Sequence, residues 1–360
     1  MSRAIFSVFL ATSALGSVRW YETAMLDEAL ELAARQGKLV LVDVYATWCG
    51  PCHAMDREVY SRDDVAAAID AGFVPLRVDG EAGLGAAIVE KYRVVGYPTL
   101  LALDAEGREI ERLMGDAAPD ALVKTLADWR AGRDTLAALE ASLAATPDDL
   151  ALAFEVGRRH AVRGHEKEAL RLLGRVERAD PQNARGLAAQ SLLVVGKYLY
   201  VRGLGKYRKG LVVLERLERL HPSSPEAAQT VESKARAYHR LGDTRRVRAV
   251  LDGLIEAAPR DAARYNTYAW FCYQQAFDRA RGIAIAQQGL EIDPKNDGLW
   301  DTLAELHFAS GLREQALLCE RRARELAPDE PYYARQLERF TKAPCGPPSA
   351  ATGSAARPTR

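Results

Sequence analysis

The sequence has little cysteine, no net charge and no long hydrophobic run. Five cysteines in 360 residues are too few for the disulfide framework of a small secreted domain. The 49 basic and 49 acidic residues cancel, so no long-range field attracts nucleic acid or an anionic membrane surface. No stretch approaches the roughly 20 apolar residues of a membrane span, so we expect no transmembrane helix. The 48% hydrophobic and 27% charged content is that of a globular protein with two or three domains.

Both ends of the chain differ in composition from the rest. Residues 1–17 carry one early positive charge, Arg3, then an apolar stretch and then small residues, which is the layout of a short secretory signal. The alternative is a disordered lead into the first domain. We favour a signal peptide and export to the periplasm over a cytoplasmic location. Residues 343–360 are rich in Pro, Gly, Ser and Ala, which predicts a disordered tail.

Residues 18–130 alternate between strand-like and helix-like patterns. Runs rich in β-branched and other apolar residues predict four strands, at Leu39–Tyr45, Phe73–Val78, Thr99–Asp104 and Glu109–Met114. Apolar residues at helical spacing predict helices between and around these strands. Strands that alternate with helices and end in a hairpin predict an α/β sheet covered by helices.

The motif Cys49-Gly50-Pro51-Cys52 follows the first predicted strand and begins a helix. Unpaired N–H groups and the dipole at a helix N-terminus favour a thiolate, so we expect Cys49 to be the nucleophile. Cys52, one turn later, is then the resolving thiol, and Pro51 is tolerated in the first helical turn. The alternatives are a structural disulfide and a zinc ligand pair. A structural zinc site needs four ligands and only His53 is nearby, so we expect no metal and no cofactor beyond the Cys49/Cys52 dithiol.

Residues 18–130 resemble the thioredoxin superfamily. The resemblance includes Trp48 directly before the motif, Asp43 six residues before Cys49, and the segment Gly96-Tyr97-Pro98-Thr99 before a strand. It implies that Pro98 is a cis-proline facing the cysteines and that the backbone of Tyr97 pairs with an extended client segment. The residues expected to dock the substrate are therefore Trp48, Gly50, Pro51, Tyr97 and Thr99.

The resemblance also suggests how protons move. Asp43, on an otherwise apolar strand, should be buried with a raised pKa and should take a proton from Cys52. The alternative is a strand-end residue satisfied by backbone hydrogen bonds. Thioredoxins commonly carry a lysine near this acid, and Pro75 is expected in its place. The CGPC sequence is that of the reducing members, which favours a protein-disulfide reductase.

From Thr146 onward the strand signal disappears and prolines recur at helix ends, at intervals of 34 to 41 residues. This period is typical of stacked helix pairs, and the large and small residues of each unit resemble the tetratricopeptide repeat. We predict an all-α superhelix of about five repeats over residues 148–337, joined to the first domain by a connecting half-repeat helix within residues 131–147. The second repeat has extra residues around Leu199–Gly205, which predicts longer helices or a looser turn.

The first helices of such an array line a concave groove that binds protein segments. Repeat register places nine candidates there: Arg236, His239, Arg240, Phe271, Gln274, Gln275, Asp301, Glu305 and Phe308. The alternative for each is a solvated helix face. The segment Lys197–Lys209 mixes tyrosines with basic residues, as RNA-binding segments do. The absence of net charge and the position of the tyrosines in a helical repeat argue against a nucleic-acid partner, so we expect none.

These features together predict a thiol–disulfide oxidoreductase whose repeat array recruits a client or partner protein. Its partners would be proteins with disulfides or mixed disulfides, an upstream protein thiol reductant, and a segment bound by the repeats. The alternative is a chaperone-like or scaffold protein in which both regions mainly bind clients. The intact Cys49, Cys52, Asp43 and Pro98 set favours the oxidoreductase.

Overall fold

A computed structural model describes residues 17–21 and 25–344, and it divides into two compact units between Ala145 and Thr146. The predicted signal segment lies outside the described residues except for Ser17, and so does the predicted tail from residue 345 onward. Each unit is considered by itself below.

The first unit is built on a four-stranded sheet. Its strands are β1 (Leu39–Tyr45), β2 (Phe73–Asp79), β3 (Thr99–Leu103) and β4 (Glu109–Met114). The strand order is β2-β1-β3-β4, with β1 and β2 parallel and the other neighbours antiparallel. The central strand β1 is apolar along most of its length because both of its faces are covered. The predicted α/β architecture is confirmed.

Helices cover both faces of this sheet. They are α1 (Leu26–Gln36), α2 (Gly50–Ala54, continued by a π-helical segment, Met55–Val59), α3 (Asp63–Asp70), α4 (Gly83–Tyr92) and α5 (Pro119–Arg130). A further helix, α6 (Leu136–Ala145), follows α5 at the end of the unit. Successive side chains of a strand point to opposite faces, so β1 contributes to two apolar cores. Leu41 packs with Met55 and Trp129 in one core, and Val40 and Val42 pack in the other. Asp43 shares the face of Leu41.

The second unit is all-helical and consists of tetratricopeptide repeats, as predicted. Its helix pairs are α7 (Leu150–Val162) with α8 (Glu166–Ala179), α9 (Leu187–Leu193, continued by a π-helical segment, Val194–Leu204) with α10 (Tyr207–Leu220), α12 (Thr230–Arg240) with α13 (Thr244–Glu256), α14 (Ala262–Gln274) with α15 (Arg279–Ile292), and α16 (Asp297–Ala309) with α17 (Arg313–Leu326). A short α11 (Pro225–Ala228) precedes α12, and α18 (Pro331–Lys342) follows the last pair. The extra residues of the second repeat lengthen its first helix to Leu204.

Small residues allow the paired helices to approach closely. A Cβ built on Gly157 of α7 would lie 2.9 Å from Cγ of Leu173 on α8, and one built on Gly289 of α15 would lie 2.7 Å from Cβ of Tyr265 on α14. Several turns within pairs use glycine where the backbone needs a positive φ, as at Gly311 with φ 84°, whereas the turn between α14 and α15 has Ala276 at φ 50°. The repeat pattern of large and small residues therefore follows from helix packing.

Two further cysteines lie in this unit, and both are buried free thiols. Burial raises the pKa of Cys272 to about 12 and that of Cys319 to about 11. Neither forms a reactive thiolate near neutral pH, so the structure confirms that these two are apolar core residues. The fifth cysteine, Cys345, lies outside the described residues.

Within residues 17–21 and 25–344, no helix is both long enough and apolar enough to cross a membrane.

The approach of α4 to β2 depends on a glycine. A Cβ at Gly85 would lie 1.8 Å from the carbonyl oxygen of Asp79, a backbone atom that cannot move aside. We expect Gly85→Ala to destabilise the first unit by about 2 kcal/mol through overpacking. The measurement is hydrogen–deuterium exchange of peptides from β2 and α4.

The matched control is Gly253→Ala on the helix α13. Nothing lies within 4 Å of a Cβ at Gly253, so this change should stabilise the second unit by about 0.7 kcal/mol. Equal exchange in wild type and Gly85→Ala would contradict the expected clash.

Candidate active site

Cys49 and Cys52 are joined in a disulfide at the start of α2. Cys49 is the N-cap residue of this helix, and the backbone N–H of Cys52 donates a hydrogen bond to Cys49 Sγ over 3.1 Å. The two side chains are 3% and 1% exposed, so exposure does not distinguish them. The N-cap position does, because only the Cys49 sulfur accepts from the free backbone N–H groups of the first turn.

Aromatic side chains pack around the Cys49–Cys52 disulfide. Trp48 and Tyr97 stand edge to face with ring centroids 6.0 Å apart, and both pack against the cysteines. The indole N–H of Trp48 donates to Glu81 Oε2 over 2.9 Å. The ring of Tyr97 lies over Gly80, where a Cβ would come within 2.5 Å of it. Gly50 and Pro51 are exposed beside this apolar surface, so the motif can be reached from solvent at these two residues.

The segment before β3 lies beside Trp48. The Tyr97–Pro98 peptide bond is cis. Thr99 is buried and its hydroxyl donates to the carbonyl of Gly96 over 2.7 Å, while Gly115 N–H donates to the carbonyl of Pro98 over 2.9 Å. The backbone N–H and carbonyl of Tyr97 form no hydrogen bond with another described residue. These two groups are therefore available to pair with an added extended strand.

Asp43 is 1% exposed and lies directly opposite Arg77 in the parallel β1–β2 ladder. Nε of Arg77 is 3.1 Å from Asp43 Oδ2, and Nη1 of the same side chain is 2.7 Å from Asp56 Oδ1. Pro75 pairs with Leu41 in the same ladder, and its correspondence to the lysine of thioredoxins stays a prediction. The cation beside the buried acid is an arginine two residues further along the strand.

Three aromatic rings enclose the guanidinium of Arg77. Its central carbon is 4.4 Å from the ring centroid of Tyr45, 5.6 Å from that of Trp20 and 6.0 Å from that of Tyr60. Cation–π attraction favours this placement, and the rings also exclude water from the ion pair. Arginine suits this position better than lysine because its planar group binds two carboxylates while it stacks on aromatic faces.

The environment shifts the proton affinity of Asp43. Burial raises its pKa from the model-compound value of 3.8 to about 7; the positive charge of Arg77 opposes this rise and the negative charge of Asp56 adds to it. Burial, together with the charge of Asp43, also raises the pKa of Tyr60 well above its usual value. Asp43 therefore exchanges its proton near neutral pH, the range in which a general base is useful.

Arg77, Asp56 and Glu81 belong to this site but were not found from the sequence. The signal for Arg77 was present: LVLVDVY and FVPLRVD are both largely apolar runs that carry a charged residue at the fifth position. Two parallel strands paired without an offset bring these opposite charges together. The signal for Asp56 and Glu81 was absent, because acidic residues in a helix and in a loop are ordinary surface residues.

The nine groove candidates do not form one open surface. Four of them are buried: Phe271, Asp301, Glu305 and Phe308. The helix α18 covers part of this group, since the side chain of Gln336 donates to Glu305 over 3.0 Å and the rings of Phe308 and Phe340 are 4.6 Å apart. Arg240 is exposed, and the remaining four are half-buried: Arg236, His239, Gln274 and Gln275. Partner contact stays a prediction.

Comparisons with known protein families describe the same organisation. Residues 19–105 match the thioredoxin-like family, and residues 130–200 match the tetratricopeptide repeat family. The first range contains the Cys49–Cys52 pair, the Asp43–Arg77 pair and the cis-proline segment. The chain therefore has a thioredoxin-like domain with a CxxC pair followed by tetratricopeptide repeats.

Among curated proteins, the first unit is similar to thiol:disulfide interchange proteins. It is 36% identical over 117 residues to DsbD 2 of Pseudomonas aeruginosa and 39% identical over 87 residues to DsbD of Cronobacter sakazakii. The alignments cover 31% and 24% of this chain, but only 19% and 15% of those two proteins. The chain thus spans less than a fifth of the length of these relatives.

Two solved structures are similar to one unit each. A putative disulphide-isomerase from Bacteroides thetaiotaomicron is 33% identical and covers 32% of this chain and 96% of its own, with a TM-score of 0.30. A tetratricopeptide repeat protein from Parabacteroides merdae is 15% identical and covers 62% of this chain and 82% of its own, with a TM-score of 0.41.

The raised pKa of Asp43 predicts a pH-dependent stability. The folded protein binds this proton more tightly than the unfolded chain does, so stability falls as pH rises from about 4 to about 7. Between pH 5 and pH 8 this group alone should lower the free energy of unfolding of the first unit by about 2.5 kcal/mol. Asp43→Asn, which cannot ionise, should remove that slope.

The measurement is urea denaturation of wild type and Asp43→Asn at a series of pH values. Asp120→Asn is the control, because Asp120 is an exposed carboxylate of the same unit. An unchanged slope in Asp43→Asn would show that Asp43 is not the group that titrates.

Proposed function

We propose that this protein is a thiol–disulfide oxidoreductase that reduces disulfides of client proteins through Cys49 and Cys52. The observation that carries the proposal is a dithiol at a helix N-terminus in the same small domain as a buried, paired carboxylate, Asp43. A purely structural disulfide requires neither the carboxylate nor an exposed Gly50-Pro51 segment in the first turn of α2. The similarity to thiol:disulfide interchange proteins supports the same chemistry.

The first step is attack by the Cys49 thiolate on a client disulfide. A bond forms between Cys49 Sγ and one client sulfur, while the other client sulfur leaves as a thiolate and takes up a proton from water. The helix N-terminus stabilises the attacking thiolate. The client backbone pairs with the N–H and C=O groups of Tyr97. This pairing holds the client disulfide beside Gly50 and Pro51 in the first turn of α2.

The second step resolves the mixed disulfide. Cys52 transfers its thiol proton to the Asp43 carboxylate and attacks Cys49 Sγ, which releases the second client sulfur as a thiolate. The client gains two electrons and the Cys49–Cys52 pair loses two, which leaves the disulfide that the structure contains. An upstream protein thiol must then reduce this disulfide before another cycle.

The repeat array gives the chain a second contact with its clients or with that reductant. A tethered partner meets the dithiol at a raised effective concentration, so docking on Cys49 becomes part of one binding event. The CGPC sequence favours reduction over oxidation as the net direction.

Two cysteine variants test the chemistry. Cys49→Ser should abolish the protein-dependent acceleration of insulin reduction by dithiothreitol, since the attacking thiolate is lost. Cys52→Ser should still attack once and should accumulate a covalent complex with the client, visible on a non-reducing gel. Cys319→Ala, which removes a buried thiol of the second unit, should retain activity.

Turnover that survives Cys49→Ser would refute the proposal. So would a wild type that shows no thiol-dependent turnover and suppresses client aggregation equally well when both motif cysteines are serine. That second result would instead identify a chaperone-like or scaffold protein.

Arg77 should act on this reaction through Asp43. The guanidinium favours the ionised carboxylate, so Arg77→Met raises the pKa of Asp43 further. The pH profile of client reduction should then move toward alkaline pH by about one unit, because Asp43 must be ionised to accept the proton.

Arg108→Met is the control, because Arg108 is an exposed arginine of the same unit that pairs with Asp104 over 2.7 Å. A uniform loss of rate in Arg77→Met, with no shift of the pH profile, would mean that Arg77 is only structural.

A further inference from the structure

The second unit has a concentration of positive charge on the first helices of neighbouring repeats. Arg202 lies in the π-helical extension of α9, and Arg236, His239 and Arg240 lie on α12. We call these four residues the arginine surface. The first helices of a repeat array form its inner face, so the arginine surface lies where such arrays receive partner segments.

One carboxylate, that of Glu232, forms ion pairs with two of these guanidinium groups. Nη2 of Arg202 is 3.0 Å and Nη2 of Arg236 is 3.8 Å from the same oxygen, Oε1 of Glu232. Arg240 is exposed and forms no ion pair with another described residue. Arg236 shares Glu232 with Arg202, so Arg236 and Arg240 together carry more positive charge than this one shared carboxylate neutralises.

Burial and the positive charges of this surface lower the pKa of two of its own residues, Arg236 and His239. The pKa of Arg236 is lowered by burial and by the positive charges of Arg202 and Arg240, despite the opposing charge of Glu232. The pKa of His239 is lowered mainly by burial and then by Arg240. A cation that is partly buried beside other cations is poorly solvated, and a bound anion would relieve that cost.

The arginine surface also has an unpaired hydrogen-bond donor and a side chain held in place by aromatic contacts. Nε of Arg236 is buried and has no acceptor among the described residues. The ring of His239 stands edge to face against Phe277 at 5.6 Å and Phe271 at 6.3 Å between centroids, which holds it against the next repeat. The arginine surface thus combines a histidine ring that is fixed by its aromatic neighbours with guanidinium groups that can bind carboxylates.

We propose that the arginine surface binds an acidic segment of a partner protein. Carboxylates of an extended segment pair with Arg236 and Arg240, and Arg202 remains on Glu232. The site lies entirely in the repeat array, so it does not depend on the dithiol chemistry.

A protein segment fits this surface better than a nucleic acid does. Binding of a phosphate backbone draws on many dispersed cations, and the chain has no net charge to provide them. The excess here is local, and the backbone of Gln275 hydrogen-bonds to His239, which brings an amide side chain of the kind that pairs with peptide groups to this region. Gln275 Oε1 is itself buried without a donor among the described residues.

Fluorescence anisotropy with defined peptides tests the proposal. The probe is a fluorescein-labelled peptide of Glu-Ser repeats, and the comparison peptide has Gln in place of Glu. The protein is the full chain with Cys49→Ser and Cys52→Ser, so that binding is measured without thiol chemistry. We expect binding of the Glu peptide that weakens with added salt, and at least tenfold weaker binding of the Gln peptide.

Two matched variants locate the site. Arg240→Glu should weaken binding of the Glu peptide by about tenfold or more. Arg245→Glu makes the same charge change on the exposed face of α13 in the same repeat and should leave the affinity within about twofold. Glu232→Gln, which adds to the excess charge, should tighten binding.

Three results would overturn the proposal. The first is equal binding of the Glu and Gln peptides, and the second is equal weakening by Arg240→Glu and Arg245→Glu. The third is a single-stranded oligonucleotide that displaces the Glu peptide at lower concentration than the unlabelled peptide itself, which would identify a nucleic-acid surface. Circular dichroism of each variant checks that the helices are intact.

Discussion

The first unit depends on an ion pair that is almost closed off from water. Asp43 and Arg77 lie opposite each other on the two parallel strands of the sheet, and Asp56 holds the other side of the guanidinium. An isolated buried carboxylate would be costly, so the arginine, the second carboxylate and three aromatic rings are all needed to keep it there. The same enclosure leaves the pKa of Asp43 near 7, where a proton can be gained or lost. The same contacts of Asp43 therefore affect both the stability of the first unit and the proton affinity of this carboxyl group.

The repeat array uses charge in a different way. Its core is held by large residues of one helix packed against glycines and alanines of the next, which requires no charged group. On the first helices, Arg236 and Arg240 of the arginine surface carry more positive charge than Glu232, which Arg236 shares with Arg202, neutralises. Further along the array, Glu305 is buried beneath α18 and pairs with Arg339 and Gln336. One part of the inner face is thus already paired within the chain, and another part is left with excess charge.

Much of the fold could be predicted because its signals are local. The strand β1 was predicted with its observed bounds, since a short run rich in β-branched residues, bounded by a glycine and by the CxxC helix, favours a strand. The helical repeats were visible because helix packing imposes a period on small residues and prolines. The groove residues were less predictable. Phe271, Asp301, Glu305 and Phe308 have the register of inner-face residues, but α18 and neighbouring helices bury them. Repeat register says which side of a helix a residue occupies and does not say what later packs on that side.

The sequence by itself determined the two architectures, the cysteine pair and the segment around Pro98, because each depends on neighbouring residues or on a regular period. Only the tertiary structure decided which cation meets Asp43. Strand register is set by how the whole sheet packs, and a shift of two residues exchanges Pro75 for Arg77 at that position. It also decided which inner-face residues of the array remain accessible. Both outcomes depend on residues far apart in the chain, whose contacts form only when the complete core excludes water.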